Sequence, residues 1–170
     1  LMGFADLMLS VPQILIVVFL QAIFGKSGYL SLALSIGVTG WMAMARIIRN
    51  EVRRIRETDY VTAARMMGGS FGYILRKHLL PGFLPAVLYA AVSSIGAAMM
   101  TEATLSFMGL GLPVAKVSWG GLLSDSRNAL LSDSWWIILI PGIVLIGTLI
   151  AIAALGEQVR KGNTRLHSNL

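Results

Sequence analysis

The chain has 170 residues, of which 56% are hydrophobic and only 13% are charged, and its formal net charge is +6. Soluble domains usually carry about 25% charged residues, so this composition indicates a protein whose main solvent is lipid. The lack of cysteine excludes disulfides and thiolate metal sites, and two histidines are too few for a typical zinc site. No Gly-rich phosphate-binding loop is present, so ATP, if it is used, must be bound by another chain.

Four stretches are apolar and long enough for a membrane-spanning helix, which needs about 20 residues. They run from about Leu7 to Phe24, Tyr29 to Ile48, Gly82 past Met100, and Trp135 to Leu155. We therefore predict an all-α fold, a polytopic transmembrane bundle of about four spanning helices that forms one domain over residues 1–170. The chain starts at Leu1 and has no cleavable signal pattern, so we expect it to be the C-terminal part of a longer protein.

Two long connections, residues 49–81 and 112–134, separate the later spans, and the second is expected to contain a short helix around Gly121 to Leu131. Eight of the 14 basic residues lie at or inside the first connection, and three more lie in the C-terminal tail. Only Lys26, Lys116 and Arg127 remain for the opposite side. The positive-inside rule therefore predicts that the first connection and both ends of this chain are cytoplasmic. The net charge is then a topology signal and not a nucleic-acid surface.

The first connection contains a segment, residues 59–81, that reads DYVTAARMMGGSFGYILRKHLLP. Its pattern predicts two short helices, separated by Gly68 and Gly69, with Ser70 as the N-cap of the second. One face of the first helix is expected to carry Tyr60, Ala63, Ala64 and Met67. The second helix is expected to have an apolar stripe and to end at Pro81; the stripe comprises Phe71, Ile74, Leu75, His78 and Leu79. Helix physics alone leaves open whether this hairpin merely connects two spans or docks a partner.

The spacing resembles the cytoplasmic signature of binding-protein-dependent ABC importer permeases, the MetI-like family. That signature reads Glu-Ala-Ala, three residues, Gly, nine residues, Ile, one residue, Leu-Pro. Ala63-Ala64, Gly68 and Leu80-Pro81 fall in register, whereas Thr62 replaces the usual acid and His78 the usual Ile. Five further segments are similar to the dipeptide, oligopeptide and nickel branch: Tyr60 to Arg65, Thr101 to Gly111, Ser118 to Gly120, Asp125 to Asn128, and Asp6 to Pro12.

The resemblance implies the permease subunit of an ATP-binding-cassette importer, which is a transport subunit and not an enzyme. It would form a translocation path for peptides or related small solutes, nickel chelates included, in the plasma (inner) membrane of a prokaryote. The implied ATPase-coupling residues are Tyr60, Ala63, Ala64, Met67, Gly68 and Pro81.

The same resemblance implies several partners. These are a second permease subunit in a heterodimer, cytoplasmic ATPase subunits that bind ATP-Mg, an external solute-binding protein and membrane lipid. No cofactor, metal or nucleic acid is expected on this chain itself.

Glu102 is the acid inside the third apolar stretch. An acid at the bilayer centre costs roughly 2.5 kcal/mol or more, which makes Glu102, together with Ser106, a candidate for the translocation path or a gate. Its place near the far end of the span favours a solvated or capping role over a substrate ligand, with the translocation-path role as the alternative. His78 and the scattered methionines are expected to be packing residues.

Two rival function classes fit the spans less well. An ion-driven secondary transporter would need ionisable groups near the midplane, which the four stretches almost lack. An intramembrane enzyme would need a nucleophile–base pair or metal ligands inside the spans, whereas His78 and His167 lie outside them.

Overall fold

The structure is a computed structural model that describes residue 3 and residues 8–25, 28–126 and 134–167, with side chains described as far as Lys161. Within these residues it is helical, without strands, which confirms the predicted all-α class. The helices are α1 (Gln13–Phe24), α2 (Tyr29–Arg56), α3 (Asp59–Met66), α4 (Phe71–Ile74), α5 (Leu80–Phe107), α6 (Trp119–Asp125) and α7 (Trp136–His167). A π-helical segment, Leu75–Leu79, joins α4 to α5 without a break.

Among the described residues, three helical stretches are long and apolar enough to cross a membrane, namely Tyr29–Arg56, Phe71–Phe107 and Trp136–Lys161. The first predicted span contains α1, an apolar helix of 12 residues, but residues 4–7 lie outside the described part of the chain. The described helices thus supply three of the predicted crossings. The remaining crossing, which is the first along the chain, depends on α1 and on residues outside the described part of the chain.

Two of these helices extend further than their apolar stretches. α2 continues from Ile48 to Arg56 as a basic helix, and α7 continues past Leu155 to His167. Residues 49–56, predicted as connection, are therefore part of a spanning helix. Arginine and glutamate are good helix formers, so the helix persists after the apolar stretch ends.

The helices pack as an antiparallel bundle with two distinct ends. Leu32 of α2 meets Leu105 of α5 at one end, and Ile55 lies against Gly82 at the other. α7 runs antiparallel to α5, since Gly96 faces Leu149 and Ile152, while the Arg160 guanidinium lies 5.8 Å from the Tyr89 ring centroid. The C-terminal part of α7 and the segment around α3 therefore share one end, which we call the basic end.

At the opposite end, the second connection folds over the helix termini. The Tyr29 hydroxyl donates to the Val117 carbonyl at 3.3 Å, and the Lys116 ammonium lies 4.7 Å from the Tyr29 ring centroid. The predicted short helix exists as α6, which begins at Trp119 with Ser118 as N-cap. The Ser118 hydroxyl accepts from the Gly121 N–H at 3.0 Å. The C-terminal half of that predicted helix lies outside the described residues.

Backbone contact holds α6 against α5. Gly120 is buried, and a Cβ built on it would lie 2.6 Å from Ala103 Cα and would also strike the Ala103 carbonyl. Small residues permit such close approach between helices, and close packing is the main source of helix association in lipid. The second connection is thus a packed cap and not a loose loop.

Pro81 does not end the second helix of the hairpin, contrary to the prediction. The helix passes through it because the preceding turn is π-helical, with the Leu80 N–H donating to the Leu75 carbonyl. In a regular α-helix the proline ring would clash with the carbonyl four residues earlier, and the wider π turn gives room for the ring. The hairpin and the spanning helix α5 consequently form one continuous rod.

The two ends provide a direct test of membrane orientation, which we predict places the basic end in the cytoplasm. Val114 at the capped end is 89% exposed, and the Arg53 side chain at the basic end is 77% exposed. Because the chain has no cysteine, Val114→Cys should react with an impermeant thiol reagent on intact cells, and Arg53→Cys only after permeabilisation. The reverse pattern would invert the topology. Ser126 is unsuitable as a labelling site because only 1% of it is exposed.

Candidate functional site

The hairpin at the basic end begins with α3, whose termination depends on two glycines. Gly68 has φ 78°, a left-handed conformation that side chains rarely adopt. Its N–H donates to the Arg65 carbonyl at 3.1 Å, and the Gly69 N–H donates to the Ala64 carbonyl at 3.0 Å. These two bonds form a Schellman motif, which satisfies carbonyls at the end of the helix. The predicted glycine stop is confirmed.

The second arm starts at Ser70, as predicted. The Ser70 hydroxyl accepts from the Tyr73 N–H at 3.3 Å, so this side chain caps the arm. A buried apolar cluster then fixes both arms onto the ends of α2 and α5. Its members are Ile55, Val61, Ala64, Ile74 and Leu79, with Leu75 and Phe83 packed against them. The hairpin is therefore a rigid projection of two spanning helices.

Ala64 belongs to this buried cluster whereas Ala63 is exposed, so the prediction that the two share one face of α3 is wrong. It is 5% exposed and lies on the inner side of α3 together with Val61, which is fully buried. The predicted apolar stripe of the second arm also needs one correction, since Phe71 is 75% exposed while Ile74 and Leu79 are buried. Pro81, the last of the implied coupling residues, lies in the first turn of α5.

The outer side of the hairpin is apolar although it is exposed. Met66, Met67 and Phe71 are each more than 70% exposed, and Tyr60 is 47% exposed. Ala63 is exposed on the same side of α3. We call these five residues the outer face. Large flexible apolar side chains held in the open at the tip of a rigid element are typical of a surface that docks a partner.

An aromatic cluster packs against Tyr60 of the outer face. The His78 ring lies 5.8 Å from the ring centroids of both Tyr60 and Tyr73. The Lys77 ammonium lies 5.3 Å from the Tyr73 centroid. His78 is partly buried, which confirms the expected packing role, and it links α3 to the π-helical segment.

We expect Gly68→Ala to loosen the hairpin locally. A left-handed alanine costs about 1–2 kcal/mol, although nothing in the chain lies within 4 Å of the added methyl group. Trypsin should then cut at Arg65 about fivefold faster or more in native membranes. Gly72→Ala is the matched control, because Gly72 is helical and also has open space. Equal cleavage rates in the two variants would contradict this explanation of Gly68.

A second group of candidate residues lies at the capped end of α5. The Ser106 hydroxyl donates to a Glu102 carboxylate oxygen at 2.7 Å and accepts from the Leu112 N–H at 3.1 Å. Ser106 is buried, and α5 ends in a Schellman motif at Gly109, whose φ is also 78°. The two residues that were predicted together thus have different roles. Ser106 binds the backbone that follows α5, and it also holds the Glu102 carboxylate in place.

Glu102 also lines an open groove between α2 and α5 of about 700 Å³. Its walls are apolar and partly made of small residues, among them Ala33, Gly37, Gly40 and Ala98. Glu102 is the charged residue of this lining. Within the described part of the chain, no group of three or more His, Cys, Asp or Glu side chains could hold a metal ion. The basic end thus has an exposed apolar surface, and the α2–α5 interface has a groove with one carboxylate.

Comparison with known proteins identifies the family of the chain. Residues 1–161 match the model of the binding-protein-dependent transport system inner membrane component family, and the chain belongs to this family. The dipeptide transport system permease protein DppC of Bacillus subtilis is 32% identical over 160 residues, which cover 94% of this chain and 50% of that protein.

Two further relatives have similar coverage. The oligopeptide transport system permease protein OppC of Bacillus subtilis is 32% identical over 94% of this chain and 52% of its own length. A putative peptide transport system permease protein of Brucella suis is 35% identical over 94% of this chain and 53% of its own length. The chain therefore spans about half the length of the curated relatives it matches.

Proposed function

We propose that this chain, as a member of the binding-protein-dependent transport system inner membrane component family, is the permease subunit of an ATP-driven importer. The outer face of the hairpin carries this proposal, because it presents an apolar surface at the basic end on a rigid extension of two spanning helices. A rigid projection transmits motion between a docked partner and the membrane helices, whereas a loose loop would absorb it. The partner is a cytoplasmic ATPase, which binds ATP-Mg.

The proposed substrate class is small peptides, with nickel chelates as the alternative. Support comes from the names of the relatives, which are dipeptide, oligopeptide and peptide permeases. We further propose a second permease subunit as the neighbour in the membrane, an external solute-binding protein that delivers substrate, and a plasma membrane location. In this assembly the chain moves solute and performs no covalent chemistry itself.

The test is uptake by the complete transporter in membrane vesicles. We expect uptake of radiolabelled L-alanyl-L-alanine that requires ATP, the solute-binding protein and the full-length protein containing this chain. Vesicles with a labelled nickel chelate test the alternative substrate in parallel. Uptake driven by an ion gradient without ATP would contradict the proposal and favour a secondary transporter.

A further inference from the structure

We propose that the groove between α2 and α5 is filled with water and forms one side of the translocation path. In this groove the Glu102 carboxylate binds the ammonium group of a peptide. The inference rests on the proposed transport of peptides and assigns a recognition residue to it. Glu102 is partly exposed in the groove, and Ser106 fixes one of its carboxylate oxygens. The side chain is thus oriented before any ligand arrives.

The surroundings of Glu102 indicate a cationic ligand. Among the described residues, no Lys, Arg or His nitrogen lies within 4.0 Å of this carboxylate. Carboxylates within membrane spans are costly unless they face a water-filled cavity or a cation. An apolar helix packed into the groove would remove water from the carboxylate without compensation, which disfavours that occupant.

The walls of the groove suit a ligand whose side chains vary. Binding pockets for small molecules usually measure about 300–1,000 Å³ and combine apolar walls with a few placed polar groups. This groove has that size and that composition, with Glu102 as its charged group. Every peptide with a free N-terminus carries an ammonium group whatever its sequence. A single carboxylate between small apolar walls can therefore recognise the shared feature and tolerate the variable ones.

Thiol chemistry in the groove tests the site without requiring transport. Ala98 lines the groove one helical turn before Glu102, so their side chains are neighbours on α5. In the assembled transporter, we expect Ala98→Cys to react with both cationic and anionic methanethiosulfonate reagents added from outside. The cation-to-anion rate ratio should exceed that of Val114→Cys, the exposed control, by about tenfold because of the nearby negative charge.

Changes at Glu102 separate the charge effect from other causes. Glu102→Gln should lower the rate ratio at Ala98→Cys about tenfold, while Glu102→Asp should largely keep it. In the uptake assay, Glu102→Gln should lower L-alanyl-L-alanine uptake about tenfold while the ATPase stays bound to the membranes. Ser106→Ala retains the charge and should retain the rate ratio.

Three results would overturn the assignment. An unreactive Ala98→Cys would mean that protein or lipid covers the groove. Equal reaction with the cationic and the anionic reagent would mean that Glu102 carries no effective negative charge in the groove. A charge preference together with full uptake in Glu102→Gln would show that substrate does not bind there. If wild-type vesicles show no ATP-dependent uptake, the proposed function fails instead, and the labelling rates still report whether the groove is aqueous.

Discussion

Ala64→Arg is expected to unfold the hairpin at the basic end. Ala64 lies in the buried cluster with Val61 and Ile74, so an arginine there must either bury an unpaired charge or push the two arms apart. Either outcome costs several kcal/mol, which is comparable to the stability of such a small element. Trypsin cleavage at Arg65 should rise by at least two orders of magnitude in native membranes.

Thr62→Arg is the matched control for this prediction. Thr62 is exposed on the same helix, where its hydroxyl donates to the Thr58 carbonyl at 3.1 Å. An arginine at this position can extend into water, so its trypsin sensitivity should stay close to wild type except at the new site. If Ala64→Arg is equally resistant, then Ala64 is not buried in the hairpin of the working protein.

Gly120→Ala is expected to have the second large effect, at the opposite end of the bundle. The added methyl group would overlap backbone atoms of Ala103, which cannot rotate away as a side chain can. Overpacking of this kind typically costs about 1–3 kcal/mol, and here α6 must also leave its place on α5. The detergent-purified protein should unfold several degrees lower than wild type.

Gly121→Ala serves as the control for Gly120→Ala. Both glycines lie in α6 and gain the same helix propensity from alanine. The nearest atom to a Cβ at Gly121 is the Ser118 hydroxyl at 3.2 Å, which can shift by a few tenths of an ångström. Gly121→Ala should therefore unfold near the wild-type temperature. Equal losses in the two variants would mean that the close backbone contact is unimportant.

Local signals were predictable from the sequence because they depend on neighbouring residues. Apolar length indicated the spanning helices, Gly68 indicated the end of α3, and Ser70 indicated the cap of the next arm. Helix ends were less predictable, since hydropathy reports where lipid ends and not where the helix ends. α2 consequently runs on to Arg56 as a charged helix, with the Arg53 side chain 3.8 Å from the Glu57 carboxylate.

The orientation of α3 required tertiary information. A helical period placed Tyr60, Ala63, Ala64 and Met67 on one side of α3. Which residues of α3 are buried, however, depends on which side chains of α2 and α5 pack against it. Val61 and Ala64 pack with Ile55 and Leu79 in the buried cluster, so Met66 lies on the exposed side of α3. The groove at Glu102 was likewise not predictable, because the residues that line it on α2 and on α5 are 50 or more positions apart in sequence.

Met67→Arg tests most directly whether the outer face docks a cytoplasmic ATPase, as we propose. Met67 is 81% exposed, so the substitution should leave the hairpin folded and resistant to trypsin. In the complex it would place a charge in an apolar contact, at a cost of about 3–4 kcal/mol. ATPase affinity should then fall several hundredfold.

The measurement is the amount of ATPase retained on washed membranes, with Thr62→Arg as the equally charged control at an exposed position of α3 about 140° around the helix from Met67. The docking model predicts that Met67→Arg membranes lose the ATPase while Thr62→Arg membranes keep it. Wild-type retention on Met67→Arg membranes would contradict the model and leave the hairpin as a connection between two membrane helices.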